Sequence, residues 1–156
     1  MSERLHLRIS SVEQLADASQ RFRGFPFHLE GQSFDSVRRT WTGEFVRGND
    51  DPARMTTRGS WFFNVTDFPL FASTITIHNV VEAEIQDRAQ LGVYTFSRLH
   101  RTASGCRFEF RQDCDLYIVV DGPFLAEVSD VRELTGRRGR ITSVGFVDFG
   151  VAIGDA

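Results

Sequence analysis

The side chains in this 156-residue sequence that could do chemistry are few and scattered, and the most suggestive grouping is His78 with Glu82 and Glu84. In an unbroken strand residues two apart share a face, so these three would line up as one imidazole and two carboxylates, a set able to hold a ligand through charge and hydrogen bonds. The competing reading is a solvated outer face whose acids pair with arginines of the neighbouring strand. Asp148 is the second candidate. It lies within Phe146-Val147-Asp148-Phe149-Gly150, in phase with Val144 and Phe146, where apolar neighbours would raise the pKa of a carboxylate and suit it to proton transfer or ligand binding. A single acid is not a mechanism, and burial at a strand end with an arginine partner is the favoured reading of it.

Other chemistries lack their residues. His6, His28, His78 and His100 occur singly, and Cys106 and Cys114 have no ligand spacing, so no metal site is expected. There is no Gly-x-Ser-x-Gly elbow and no nucleophile context around either thiol. All 18 basic residues are arginine. The absence of lysine excludes Schiff-base and pyridoxal-type catalysis and the phosphate-cradling lysine of P-loops, so no cofactor is expected. Arginine in place of lysine also fits a GC-rich, bacterial-type coding sequence.

The charge balance narrows the partners. The formal net charge is −3, with +1 over residues 1–60 and −4 over the remainder, whereas nucleic-acid binders show a basic excess. Arginines do cluster at Gly136-Arg137-Arg138-Gly139-Arg140 and alternate with phenylalanine over Arg107-Phe108-Glu109-Phe110-Arg111, but Glu109, Asp113 and Asp115 sit among them and argue against a nucleic-acid surface. No apolar run approaches the roughly 20 residues needed to span a bilayer, and the first residues lack a secretory apolar segment. The expectation is a cytoplasmic protein with reduced cysteines, Cys106 serving as apolar filler in a strand.

These residues need a scaffold, and the sequence specifies mostly strands. Val, Ile, Thr, Phe, Tyr and Trp make up 51 of the 156 residues. One helix is expected after Ser11, whose spacing to Gln14 is that of a capping box, ending near Arg21 to Gly24. Alternation predicts strands over Leu5–Ile9, an edge segment from Phe25 to Glu30 carrying Pro26, and then Val37–Arg47, Ser60–Val65 and Thr74–Gln86. Thr74–Gln86 is long enough to imply a bulge or break near His78-Asn79. Val93–His100, Arg107–Arg111, Leu116–Val120, Phe124–Val131 and Arg140–Val151 complete the set. A hairpin pairing Phe110 with Leu116 and Phe108 with Ile118 is expected, as is a turn at Gly136–Gly139. Residues 48–59 read as a long loop, mobile or functional.

The whole is expected to be one mainly β domain over residues 1–156: an antiparallel barrel, sandwich or curved sheet of about seven to nine strands with one N-terminal helix. The function expected of it is a non-catalytic protein-binding module of regulatory or immunity type, using an acidic sheet face or the 48–59 loop. The alternative is a small-ligand-binding β-barrel, or an enzyme using a buried carboxylate.

Overall fold

The computed structural model describes residues 4–49, 52–59, 64–142 and 147–152; at residue 52 and from residue 135 onward it describes backbone alone. Strands β1 (His6–Ile9), β2 (Pro26–His28), β3 (Gln32–Asp35), β4 (Thr40–Gly48), β5 (Thr56–Gly59) and β6 (Asn64–Ile77) are followed by β7 (Val80–Asp87), β8 (Val93–Thr102), β9 (Gly105–Phe110), β10 (Cys114–Val120), β11 (Ala126–Thr142) and β12 (Val147–Ala152). One helix, α1 (Val12–Ser19), interrupts them. The mainly β class with a single N-terminal helix is therefore as the sequence implies, in the form of two curved antiparallel sheets. Strands run in the order β1-β11-β6-β4-β3 in one, with β12 on β11 and β5 on β6, and β2-β8-β9-β10-β7 in the other.

The helix forms where its cap allows. Ser11 Oγ accepts from the Gln14 N–H while Gln14 Oε1 accepts from the Ser10 N–H, so one amide of the first turn and the one just ahead of the cap are satisfied. Its inner side, Val12, Leu15 and Ala18, is buried, and a 3₁₀ turn over Gln20–Phe22 carries Phe22 into the core.

Alternation on β4 aims Trp41 and Phe45 inward, where they meet the rings of β8 and β9. Phe45 lies 5.6 Å from Phe108 and 5.7 Å from Phe96, and Trp41 lies 5.2 Å from Phe108. Phe27 from β2 stacks between Phe45 and Phe110, 4.7 Å from each. Phenyl rings fill such a layer because they require no hydrogen-bond partner. The Trp41 indole N–H has its partner, Gln32 Oε1, at 2.9 Å.

The break near His78-Asn79 occurs where expected. β6 ends at Ile77, Asn79 takes a left-handed φ of 58°, and the chain crosses to the other sheet as β7. Pro26 sits on an edge strand, as its missing N–H demands. Four local readings differ. Gln32–Asp35 is a strand, and Val37–Arg39 is the turn into β4, where Val37 is 91% exposed. The 48–59 stretch holds β5, paired with the first residues of β6, and a short 3₁₀ turn. In the β9–β10 hairpin Phe108 faces Leu116 and Phe110 faces Cys114, two residues from the expected register. A shift of two leaves every side chain on its own face, so periodicity cannot detect it; the left-handed pair Gln112 and Asp113 fixes the tighter turn. Finally, Gly136–Gly139 is no turn. β11 runs through it as a wide bulge, four residues against one, opposite Pro69 and Leu70 of β6.

Gly105 marks the tightest approach in the second sheet, since a Cβ there would stand 2.0 Å from the Ile118 carbonyl oxygen. Backbone cannot yield as a flexible side chain can. Gly105→Ala is expected to cost about 1 to 3 kcal/mol in urea unfolding, and an unchanged midpoint would show that β9 and β10 are not packed as described.

Candidate functional site

The three residues that would share a face of an unbroken strand are separated by the corner at Asn79. His78 remains with the first sheet, its N–H donating to the Leu125 carbonyl and its Nε2 3.8 Å from a carboxylate oxygen of Glu127. Glu82 and Glu84 lie on β7 in the other sheet, exposed on its outer face, opposite Val119 and Tyr117 of β10. The arginines expected to neutralise them are one strand too far away: Arg107 of β9 faces Tyr117 and lies 3.5 Å from Asp115, and Arg98 and His100 both approach Glu109. Among the described residues no cation is within salt-bridge distance of Glu82 or Glu84. Asp148 falls in β12 with its backbone opposite Arg140, and its side chain lies outside the described residues, as do Val144, Phe146 and the Ser60–Phe63 part of an expected strand.

A buried polar centre not singled out from the sequence lies at one end of the core. On the inner face of the first sheet Phe45, Ser73 and Asp130 face one another across β4, β6 and β11, with Arg47 two residues beyond Phe45. Asp130 Oδ1 accepts from Arg47 Nε at 2.8 Å and from Ser73 Oγ at 2.6 Å; Oδ2 accepts from Arg47 Nη2 and, at 2.7 Å, from the Leu5 N–H. The Arg47 guanidinium also stands 4.9 Å from the centroid of the Phe71 ring. Burial raises the Asp130 pKa, but the donors from Arg47, Ser73 and the Leu5 backbone outweigh it and hold the carboxyl below its usual range. An enclosed carboxylate with both oxygens doubly bonded is a structural anion, with no lone pair free to take a substrate proton. A sequence signal for it does exist: Arg47 keeps the phase of Trp41 and Phe45, and Asp130 that of Ala126 and Val128, so each is a charge in an inward position.

The thiols are equally disengaged. Burial pushes Cys106 up to about 12, and burial with the nearby charges of Asp87 and Asp115 takes Cys114 to about 11, so neither forms a thiolate near neutrality. Both are free and buried, and Cys106 lies inward on β9 among apolar neighbours. Among the described residues no three His, Cys, Asp or Glu side chains are grouped to hold a metal ion, and no helix is long and apolar enough to cross a membrane.

Space for a ligand occurs at the rim of the sheets, outside the ring-filled layer between them. One open cleft of about 250 Å³ has an apolar wall of Phe25, Met55 and Phe68 and a polar end of Arg21, Arg47 and Asn49, with Gly48 between. Gly48, Asn49 and Met55 come from the 48–59 stretch, so part of that segment has a defined place in a cavity wall. A second, of about 300 Å³, runs between α1 and β1 past Leu7, Gln14 and Asp17.

The buried pair makes a direct forecast. Arg47→Met leaves Asp130 enclosed without its cation and is expected to cost about 3 to 5 kcal/mol at neutral pH. In the native protein the depressed Asp130 pKa contributes stability above the unfolded value near about 4 that is lost as pH falls through the folded value. In the variant the unpaired carboxyl is raised instead, so the deficit should shrink on acidification, measured by urea unfolding between neutral and acid pH; a deficit constant with pH would exclude this role. No protein-family model, curated protein or solved structure matches the chain.

Proposed function

We propose that this chain is a non-catalytic protein-binding module of regulatory or immunity type, which takes an extended basic segment of its partner as an additional strand along β7. The observation that carries this reading is the pair Glu82 and Glu84, uncompensated among the described residues and exposed on an open sheet edge. β7 ends the second sheet and is eight residues long, against three for β2 at the opposite edge and four each for β1 and β3. Native edges are usually short or blocked because their free N–H and C=O groups template pairing.

The side chains suit an added strand on both faces. Ala83 and Ile85 are only half-buried against the core, and Val81 is 45% exposed. A strand pairing with β7 would cover them with its own apolar residues while placing basic residues beside the two glutamates. The same acids disfavour a second copy of this chain at that edge, because antiparallel self-pairing sets glutamate near glutamate. Such a module acts by occupancy, and its chemistry lies in the complementarity of the edge.

Amide hydrogen exchange with a seven-residue peptide of alternating arginine and valine tests the idea. Exchange should slow over residues 81–87, the effect should weaken with added salt, and Glu82→Lys with Glu84→Lys should reduce affinity by at least about tenfold. Equal protection by a peptide alternating glutamate and valine, or protection confined to another edge, would overturn the reading.

A further inference from the structure

We infer that the rim cleft beside Gly48 is a binding site for a small monocarboxylate whose body is a single ring or a branched chain. The inference is independent of any strand added at β7.

The cleft has two chemically different ends. Its apolar end is built by Phe25 and Phe68, edge to face with centroids 6.4 Å apart, and by the half-buried Met55. A Cβ at Gly48 would stand 2.6 Å from the Phe68 ring and 3.2 Å from that of Phe25, so the bare backbone lets both rings hold the wall. At the polar end Arg47 has a side chain only 8% exposed and cannot swing away, because one edge of its guanidinium is bound to Asp130 and Nη1 donates to the Gly48 carbonyl at 3.2 Å. Three of its five N–H groups are used in this way, and the rest belong to a guanidinium that lines the cleft.

Charge decides which ligand fits. Arg47 is balanced by Asp130, and the neighbouring Arg54 and Arg58 are paired with Glu133 and Asp67. Arg21, exposed at the mouth, has no acid within salt-bridge distance among the described residues. Among the described residues the cleft therefore carries about one positive charge without a salt-bridge partner, next to an apolar wall. A carboxylate supplies one negative charge and two acceptors in the plane that guanidinium groups bind, and about 250 Å³ lies just below the usual range of ligand cavities, which restricts the ligand to one ring.

Titration calorimetry with 3-phenylpropionate, run beside the neutral 3-phenylpropan-1-ol, tests the assignment. The acid should bind saturably with a Kd on the order of 0.1 to 1 mM, and the alcohol at least about tenfold more weakly. Arg21→Ala, a change at an exposed position that should leave the melting temperature alone, should weaken the acid by about tenfold and leave the alcohol unaffected. Met55→Trp should fill the cleft and remove both. Equal binding of acid and alcohol, no saturable binding of the acid at up to about 10 mM, or binding indifferent to Met55→Trp would overturn the proposal.

Discussion

A single carboxylate ties the first sheet together. Asp130 on β11 receives hydrogen bonds from Arg47 on β4, from Ser73 on β6 and from the Leu5 amide just ahead of β1, so three segments distant in sequence converge on its two oxygens. Burying two opposite charges is expensive, and a pair of this kind adds less to net stability than to the choice of arrangement. A slip of β4 or β11 against β6 would leave an ion without its partner inside the protein, and a slip of β1 against β11 would cost the carboxylate its backbone donor. The register of the sheet that carries the cleft is thereby held to one solution.

Against that fixed sheet the second one packs chiefly through apolar rings, with Arg39 ahead of β4 adding a polar link to Val80 and Asp121 at the rim. Phe45 contacts rings from β2, β8 and β9 and from the turn after α1, with centroids between 4.7 and 5.7 Å. A directional polar tie aligns strands within the first sheet, and undirected rings fill most of the space between the two sheets. The same division explains where ligand space arises. Among the described residues the rings fill the layer between the sheets, and the cleft lies at the rim, where Arg47 emerges from the aromatic layer.

The sequence reveals most where local physics acts alone. The helix was legible because Ser11 and Gln14 cap it, the edge position of β2 because Pro26 lacks a donor, and the corner at His78-Asn79 because thirteen residues exceed an ordinary strand. What escaped depends on pairing across long separations. The β9–β10 register differs from expectation by two residues, a shift invisible to alternation, and Gly136 and Gly139 suit a bulge as well as a turn. Of the site, Glu82 and Glu84 were visible as candidates, but their isolation from arginine required knowing which strand lies next to β7. Arg47 and Asp130 were each in phase with apolar neighbours; that they are 83 residues apart and yet bonded is a fact of topology.

Pro69 sits inside β6, where a central strand ordinarily admits no proline. It is accommodated because the ladder changes there on both sides. β4 pairs only as far as Leu70 and β5 starts at Asp67, while β11 bulges by four residues before resuming at Arg138. The long strand thus joins two ladders in series, with the ion pair and the aromatic layer belonging to the one beyond Phe71. Cooperativity is lost most readily at such a joint. The ladder of β5, β12 and the far end of β11 can open as a unit of its own while the core stays shut, so the two ends of one continuous strand need not share a single unfolding free energy.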